Sequence, residues 1–176
     1  MENTWAIALS DMHNFALQFP IHLLKRDVLI FCPFLESNKF FYIEKGFIRV
    51  YRVINQEQDL TVSILGEGMF FPLNKIIEEW GNRFFYTSIG ECILREIPIE
   101  TFKKFLSNND LLKKLLSSNV LSILNQTSAN LEICVYCSAL FKVASALRLL
   151  SNTVGEIKDD TVIFKGKITH ELISSI

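Results

Sequence analysis

A chain of 176 residues, 49% of them hydrophobic, can bury a core of its own and fits one domain with an appendage. A formal net charge of -1, with no run of Lys or Arg, argues against a broad nucleic-acid-binding surface within this stretch. The N-terminus carries no basic segment leading into an apolar core, and no apolar stretch reaches membrane-spanning length, so a cytoplasmic protein without a membrane contact is expected.

The first half reads as strands. Gly46–Val53 is rich in β-branched and aromatic residues, and a polar turn follows at Asn55–Asp59. Leu60–Ile64 alternates apolar and polar side chains, the period of a strand with one buried face. Gly66-Glu67-Gly68 punctuates the next turn. Phe84–Ile89 and Cys92–Ile97 supply two more short strands, a spacing that suits a small barrel, sandwich or roll. Most of the 15 phenylalanines must fill that core, and some could line a pocket for an apolar ligand.

From Pro98 the period becomes helical, with Phe102, Phe105 and Leu106 on one face. Ser107–Asp110 is a capping cluster, and Leu111 to about Ser138 runs without Gly or Pro. Such a helix would span roughly 40 Å, longer than packing on a small roll requires. Val120, Leu124, Thr127, Leu131 and Cys134 follow a 3-4 spacing that suits a coiled-coil seam, while Leu112, Leu116, Ile123 and Ile133 make a second apolar face. One face covering the roll and the other meeting a second copy gives a homodimer; burial of both faces within one subunit is the alternative.

Ala139–Leu150 is another amphipathic helix, and Gly155–Gly166 a polar loop or hairpin around Thr161–Phe164. Thr169 suits the N-cap of a helix from His170 to Ile176. The chain stops inside that helix, which points to a truncation, since a domain boundary rarely falls there.

No nucleophile with a base, no paired carboxylates and no phosphate loop is visible, so an enzyme is not expected. Glu78-Glu79 belongs to a polar stretch facing water, and Gly66-Glu67-Gly68 is too short to cradle phosphates. His13, His22 and His170 show no metal-ligand spacing, so neither metal nor cofactor is expected. Cys32, Cys92, Cys134 and Cys137 sit in a chain without an export signal, so disulfides are not the first reading. Cys134 and Cys137 share a helix face and offer a redox alternative, but one such pair falls short of the roughly four ligands a cluster needs.

In order and spacing, four segments together resemble the Crp/Fnr family of transcription regulators. Phe41–Tyr51 is similar to the family's strand pair, and Leu65–Phe70 to its glycine turn. Phe141–Leu147 resembles the helix that opens its DNA-binding domain, and Ile168–Ile173 the start of its helix-turn-helix. The resemblance covers nearly the whole chain from about Asp27. It implies an α+β fold: a jelly roll like a cyclic-nucleotide-binding domain over 1–110, a long dimerisation helix over 111–138, and the first part of a winged helix-turn-helix over 139–176. It also implies DNA as the partner of the complete regulator. Of the DNA-binding elements only the helix-turn-helix start, Thr169 and His170, falls within the chain, so this stretch alone is not expected to read bases.

Family members that bind cyclic nucleotides carry Gly-Glu for the ribose, and Arg followed by Ser or Thr for the cyclic phosphate. Pro72-Leu73 and Arg83-Phe84 stand at those places, so a cyclic nucleotide is not the expected effector, although a cyclic-nucleotide regulatory domain is the alternative. Phe70, Phe71, Pro72, Leu73, Phe84 and Tyr86 make the cassette apolar and aromatic, pointing to a small organic effector whose anionic end Arg83 would take. The same aromatics could instead fill the roll with no effector. The resemblance further implies that an effector acts on the long helix around Gln126, Thr127 and Asn130, shifting the hinge near 136–139.

Overall fold

The computed structural model describes residues 2–33, 38–55, 58–73, 76, 83–136, 138–159, 161–164 and 168–176; the side chains of Asn130 and Cys134 fall outside that description. Helix α1 (Glu2–Ala16) precedes strands β1 (Ile21–Leu24), β2 (Leu29–Phe31), β3 (Lys39–Lys45), β4 (Ile48–Val53), β5 (Asp59–Leu65), β6 (Phe70–Phe71), β7 (Phe85–Ser88) and β8 (Cys92–Pro98). Helices α2 (Ile99–Ser107), α3 (Asp110–Tyr136) and α4 (Ala139–Val154) follow, then a hairpin of β9 (Gly155–Lys158) and β10 (Thr161–Phe164), and α5 (His170–Ser174).

The strands form two antiparallel four-stranded sheets, ordered β1-β8-β3-β6 and β2-β7-β4-β5, so strands adjacent in space are mostly distant in sequence, as in a jelly roll. Their facing sides enclose Phe31, Phe41, Ile43, Ile48, Val50, Phe71, Tyr86 and Leu94. The outer side of the first sheet is covered by helices, where Phe40, Phe70 and Phe102 meet with centroids 4.4–5.4 Å apart. Leu112, Leu115 and Leu116, from the first turns of α3, close this second core. A third cluster joins the roll to the C-terminal elements through Ile64, Ile89, Leu150, Val154 and Leu172.

The β3–β4 turn explains one glycine. Gly46 has φ +95°, and a Cβ there would stand 2.7 Å from the Glu91 carbonyl oxygen and 2.8 Å from Cys92 Sγ. The capping cluster before α3 acts through Asn109, whose Oδ1 accepts from the Leu112 amide at 3.0 Å. Ser138 caps α4 with a longer contact, Oγ accepting from Phe141 N at 3.5 Å.

Two expectations are corrected. Helix α1 is absent from the sequence reading, which runs the roll from residue 1. The helix forms because Met12 and Ala16 are buried and Phe15 stacks face to face on Phe105 at 3.8 Å. The second correction concerns Leu60–Ile64. Thr61 and Ser63, expected on a solvated face, are both buried, and Leu60 is exposed. Two causes act: Ser63 pairs with inward-facing Val50 beyond a β-bulge at Val62, whereas Thr61 pairs with Tyr51 and is covered by Ser175.

Candidate functional site

The bulge builds a cavity. Because Val62 is unpaired, it and Ser63 both line a space of 220 Å³ between the second sheet and α3. Val50 and Leu65 contribute from the same sheet, and Val120 and Ile123 close the space from the long helix. The remaining wall is Phe70, Phe71, Leu73, Phe84 and Tyr86. These last five come from the segment in which the sequence places an effector.

The aromatic wall is ordered by ring contacts. Tyr86 stacks on Phe71 at 5.2 Å and 16° and meets Phe31 edge-on at 6.0 Å and 84°. Phe71 in turn stacks on Phe41 at 5.3 Å. Phe70 and Phe71 are adjacent on a strand and so point to opposite sides, Phe70 into the helix-covered core and Phe71 into the roll. Burial pushes the Tyr86 phenol far above its usual range, so it keeps its proton and can donate a hydrogen bond.

The polar part of the site is small. Ser63 Oγ donates to Gln126 Oε1 on α3 at 3.4 Å, a long contact linking the sheet to the helix. The Tyr86 hydroxyl has no hydrogen-bond partner among the described residues, although its side chain is only 5% exposed. Arg83 is exposed and is not among the residues lining the cavity, so the structure does not bring it to the place where an anionic end would sit. Pro72 is buried behind the wall without lining the space. Thr127 is half-buried, with its hydroxyl donating to the Ile123 carbonyl at 2.9 Å. Asn130 lies on α3, one turn beyond Gln126.

Ser63, Val62, Val120 and Ile123 escaped the sequence reading as lining residues. Ser63 was hidden by its own alternation with Leu60, Val62 and Ile64, which assigned it to water. Only the bulge reverses that assignment, and nothing in the sequence marks the bulge.

The adjoining face of α3 is bare. Val120, Leu124 and Leu131 are 50%, 58% and 60% exposed, and the apolar strip continues through Val135 and Tyr136 to Leu140 and Phe141 on α4. Leu112 and Leu116, on the other face, are buried in the roll's outer core, with Ile123 half-buried against its inner one. An exposed apolar strip of this length on one helix is unusual for a monomer.

At the far end, the Thr169 hydroxyl accepts from Leu172 N at 3.2 Å and so caps α5, whose first residue, His170, is exposed. Among the described residues no cluster of three or more His, Cys, Asp or Glu could hold a metal, and no helix is long and apolar enough to cross a membrane. The Cys134–Cys137 pair lies outside the described side chains.

No family model matches the chain. It is 22% identical to a global nitrogen regulator of Synechococcus elongatus over 98% of its own length and 79% of the relative's. Among solved structures, a protein of Listeria monocytogenes containing a cyclic nucleotide-binding domain superposes with a TM-score of 0.74 at 13% identity, over 96% of this chain and 82% of that one. A CRP/FNR-family transcriptional regulator of Thermus thermophilus gives 0.69 at 19% identity, over 89% and 77%. The α+β fold, with its cyclic-nucleotide-binding-like roll and long helix, is therefore the Crp/Fnr fold.

Proposed function

We propose that the chain is the sensing and dimerising part of an effector-responsive, DNA-binding transcription regulator of Crp/Fnr type, acting without catalysis. The observation that carries this reading is the double use of α3. One face of the helix closes the cavity with Val120 and Ile123, while Val120, Leu124 and Leu131 offer a bare apolar strip to a second copy. Thr127 and Cys134 continue the same heptad spacing. A ligand touching one face is thus one helix radius from a subunit contact.

In this reading residues 1–110 sense, 111–138 dimerise and 139–176 begin the DNA-binding domain, with Thr169 and His170 at the start of its helix-turn-helix. The effector is a small molecule other than a cyclic nucleotide. Pro72 and Leu73 provide no carboxylate for a ribose, and Arg83 is exposed and does not line the cavity. Occupancy repacks the sheet against Gln126 and its neighbours Thr127 and Asn130, and the change passes from the end of α3 at Tyr136 to α4, which begins at Ala139. It can do so only in proportion to the ligand's preference for one arrangement over the other.

A chimera tests the reading: this chain joined through α5 to the remaining helix-turn-helix of a characterised Crp-type regulator. Operator binding as a dimer supports it. A chimera that stays monomeric, or that binds DNA without preference for the donor's operator, overturns it. Melting the chain with millimolar cyclic AMP and cyclic GMP tests the effector class, because saturation at a hundred times the dissociation constant would stabilise it by about 2.7 kcal/mol.

A further inference from the structure

The cavity's few polar groups constrain what it can hold. Tyr86 is fixed in direction by Phe71 on its face and Phe31 on its edge, yet its hydroxyl is without a partner among the described residues. Its oxygen keeps some access to solvent, and such a donor on a residue lining the cavity can take a ligand's acceptor. The other polar group is Ser63, already in long contact with Gln126. The remaining lining named above is aliphatic or aromatic, and among the described residues no charged side chain lines the space. A carboxylate or phosphate entering it would give up hydration without meeting a counter-charge. At 220 Å³ the space is also smaller than the roughly 300–1,000 Å³ usual for drug-sized ligands.

We propose that the cavity binds an uncharged, ring-sized, mostly apolar molecule through one hydrogen-bond acceptor placed on the Tyr86 hydroxyl. The inference rests on reading this cavity as the effector site, and it replaces the acid expected from the sequence with a neutral ligand. The ring lies against Phe71 and Phe84, and its acceptor faces Tyr86. Its far edge meets Val120 and Ile123, so the molecule touches the dimer helix directly.

Benzamide and benzoate are matched probes, nearly equal in shape and opposite in charge state at neutral pH. Ligand-observed NMR titration of the 176-residue chain should show saturable binding of benzamide and at least about tenfold weaker binding of benzoate. Tyr86→Phe should weaken benzamide by roughly tenfold while leaving the far-UV spectrum unchanged. Ile123→Phe, which fills the space from the helix side and keeps Tyr86, should abolish binding. Benzoate binding as tightly as benzamide, or benzamide indifferent to Tyr86→Phe, overturns the proposed ligand class. If benzoate alone binds and Ile123→Phe removes it, the class is wrong but the effector site stands. If benzamide, benzoate and both cyclic nucleotides all fail to bind, the proposal and the site reading fall together.

Discussion

The hydroxyls of Thr61 and Ser175 lie 2.8 Å apart in a buried contact that joins positions 114 residues apart in sequence. Arg49 Nε donates to Thr61 Oγ1 at 2.8 Å, and Ser175 Oγ donates to the Leu172 carbonyl at 2.9 Å. The proton directions are then fixed: Arg49 gives to Thr61, Thr61 to Ser175, and Ser175 to the backbone of α5. The Thr61 amide adds a bond to the Ser175 carbonyl at 2.6 Å. Strand β5 thus holds the C-terminal helix with one residue and faces the cavity with the next two.

Thr61→Val keeps the shape and removes the hydroxyl, so Arg49 loses an acceptor and Ser175 a donor. A buried group left unpaired costs about 1–3 kcal/mol. Amide hydrogen exchange should quicken across α4 and α5 while β3 and β8 keep their protection. Unchanged exchange in α4 and α5 would show that the chain of hydroxyls does not hold the C-terminal elements.

Leu124→Lys tests the bare strip. In a single chain Leu124 is 58% exposed, so the roll should fold with unaltered stability. Across a seam the two lysines would confront each other in an apolar contact, weakening association by at least about 100-fold, or roughly 2.8 kcal/mol. Sedimentation equilibrium reads the mass directly, and a dimer as tight as the parent's would place the interface elsewhere.

Phe102→Ala empties the centre of the helix-covered core, where Phe102 is fully buried against Phe40 and Phe70. A loss of about 3–5 kcal/mol is expected from the denaturation midpoint at constant slope. A loss below about 1 kcal/mol would mean that the core can collapse around the gap.

Tyr86 should also shape alkaline stability. Desolvation raises its folded-state pKa above the ordinary 10.0, so the folded chain holds a proton that the unfolded chain releases. Its contribution is complete below pH 10 and drains away as pH rises from there toward the raised value. Tyr86→Phe should flatten that decline between pH 10 and 11, measured by urea unfolding at each pH. Parallel slopes in parent and variant would mean that the phenol titrates freely.

The sequence reveals more of the fold than of the site. The long helix is plain from its uninterrupted 3-4 pattern, and its cap at Asn109 lies in the polar cluster preceding it. The wall of Phe70, Phe71, Phe84 and Tyr86 is visible because large apolar groups concentrate in one segment. The helix α1 signal was weaker: only Met12, Phe15 and Ala16 keep helical spacing on a buried face. Ser63 was invisible for a different reason. Its side is decided by an unpaired Val62, and pairing between distant strands is a tertiary choice that local alternation does not encode. Arg83 illustrates the converse, since position within a motif resembling the family's did not bring the side chain to the cavity wall.

Val120 belongs at once to the cavity wall and to the exposed apolar strip of α3. If the proposed ligand occupies that cavity and a second copy docks on that strip, ligand affinity and self-association are not independent quantities. If the partner's helix presses on Val120, the dimer and the monomer present different cavities, and the apparent dissociation constant drifts with total protein concentration. A dilution series at fixed ligand would expose this, because by reciprocity a ligand that prefers the dimer must also draw the subunits together. Abundance in the cell would then set sensitivity to the signal as directly as any contact inside the roll.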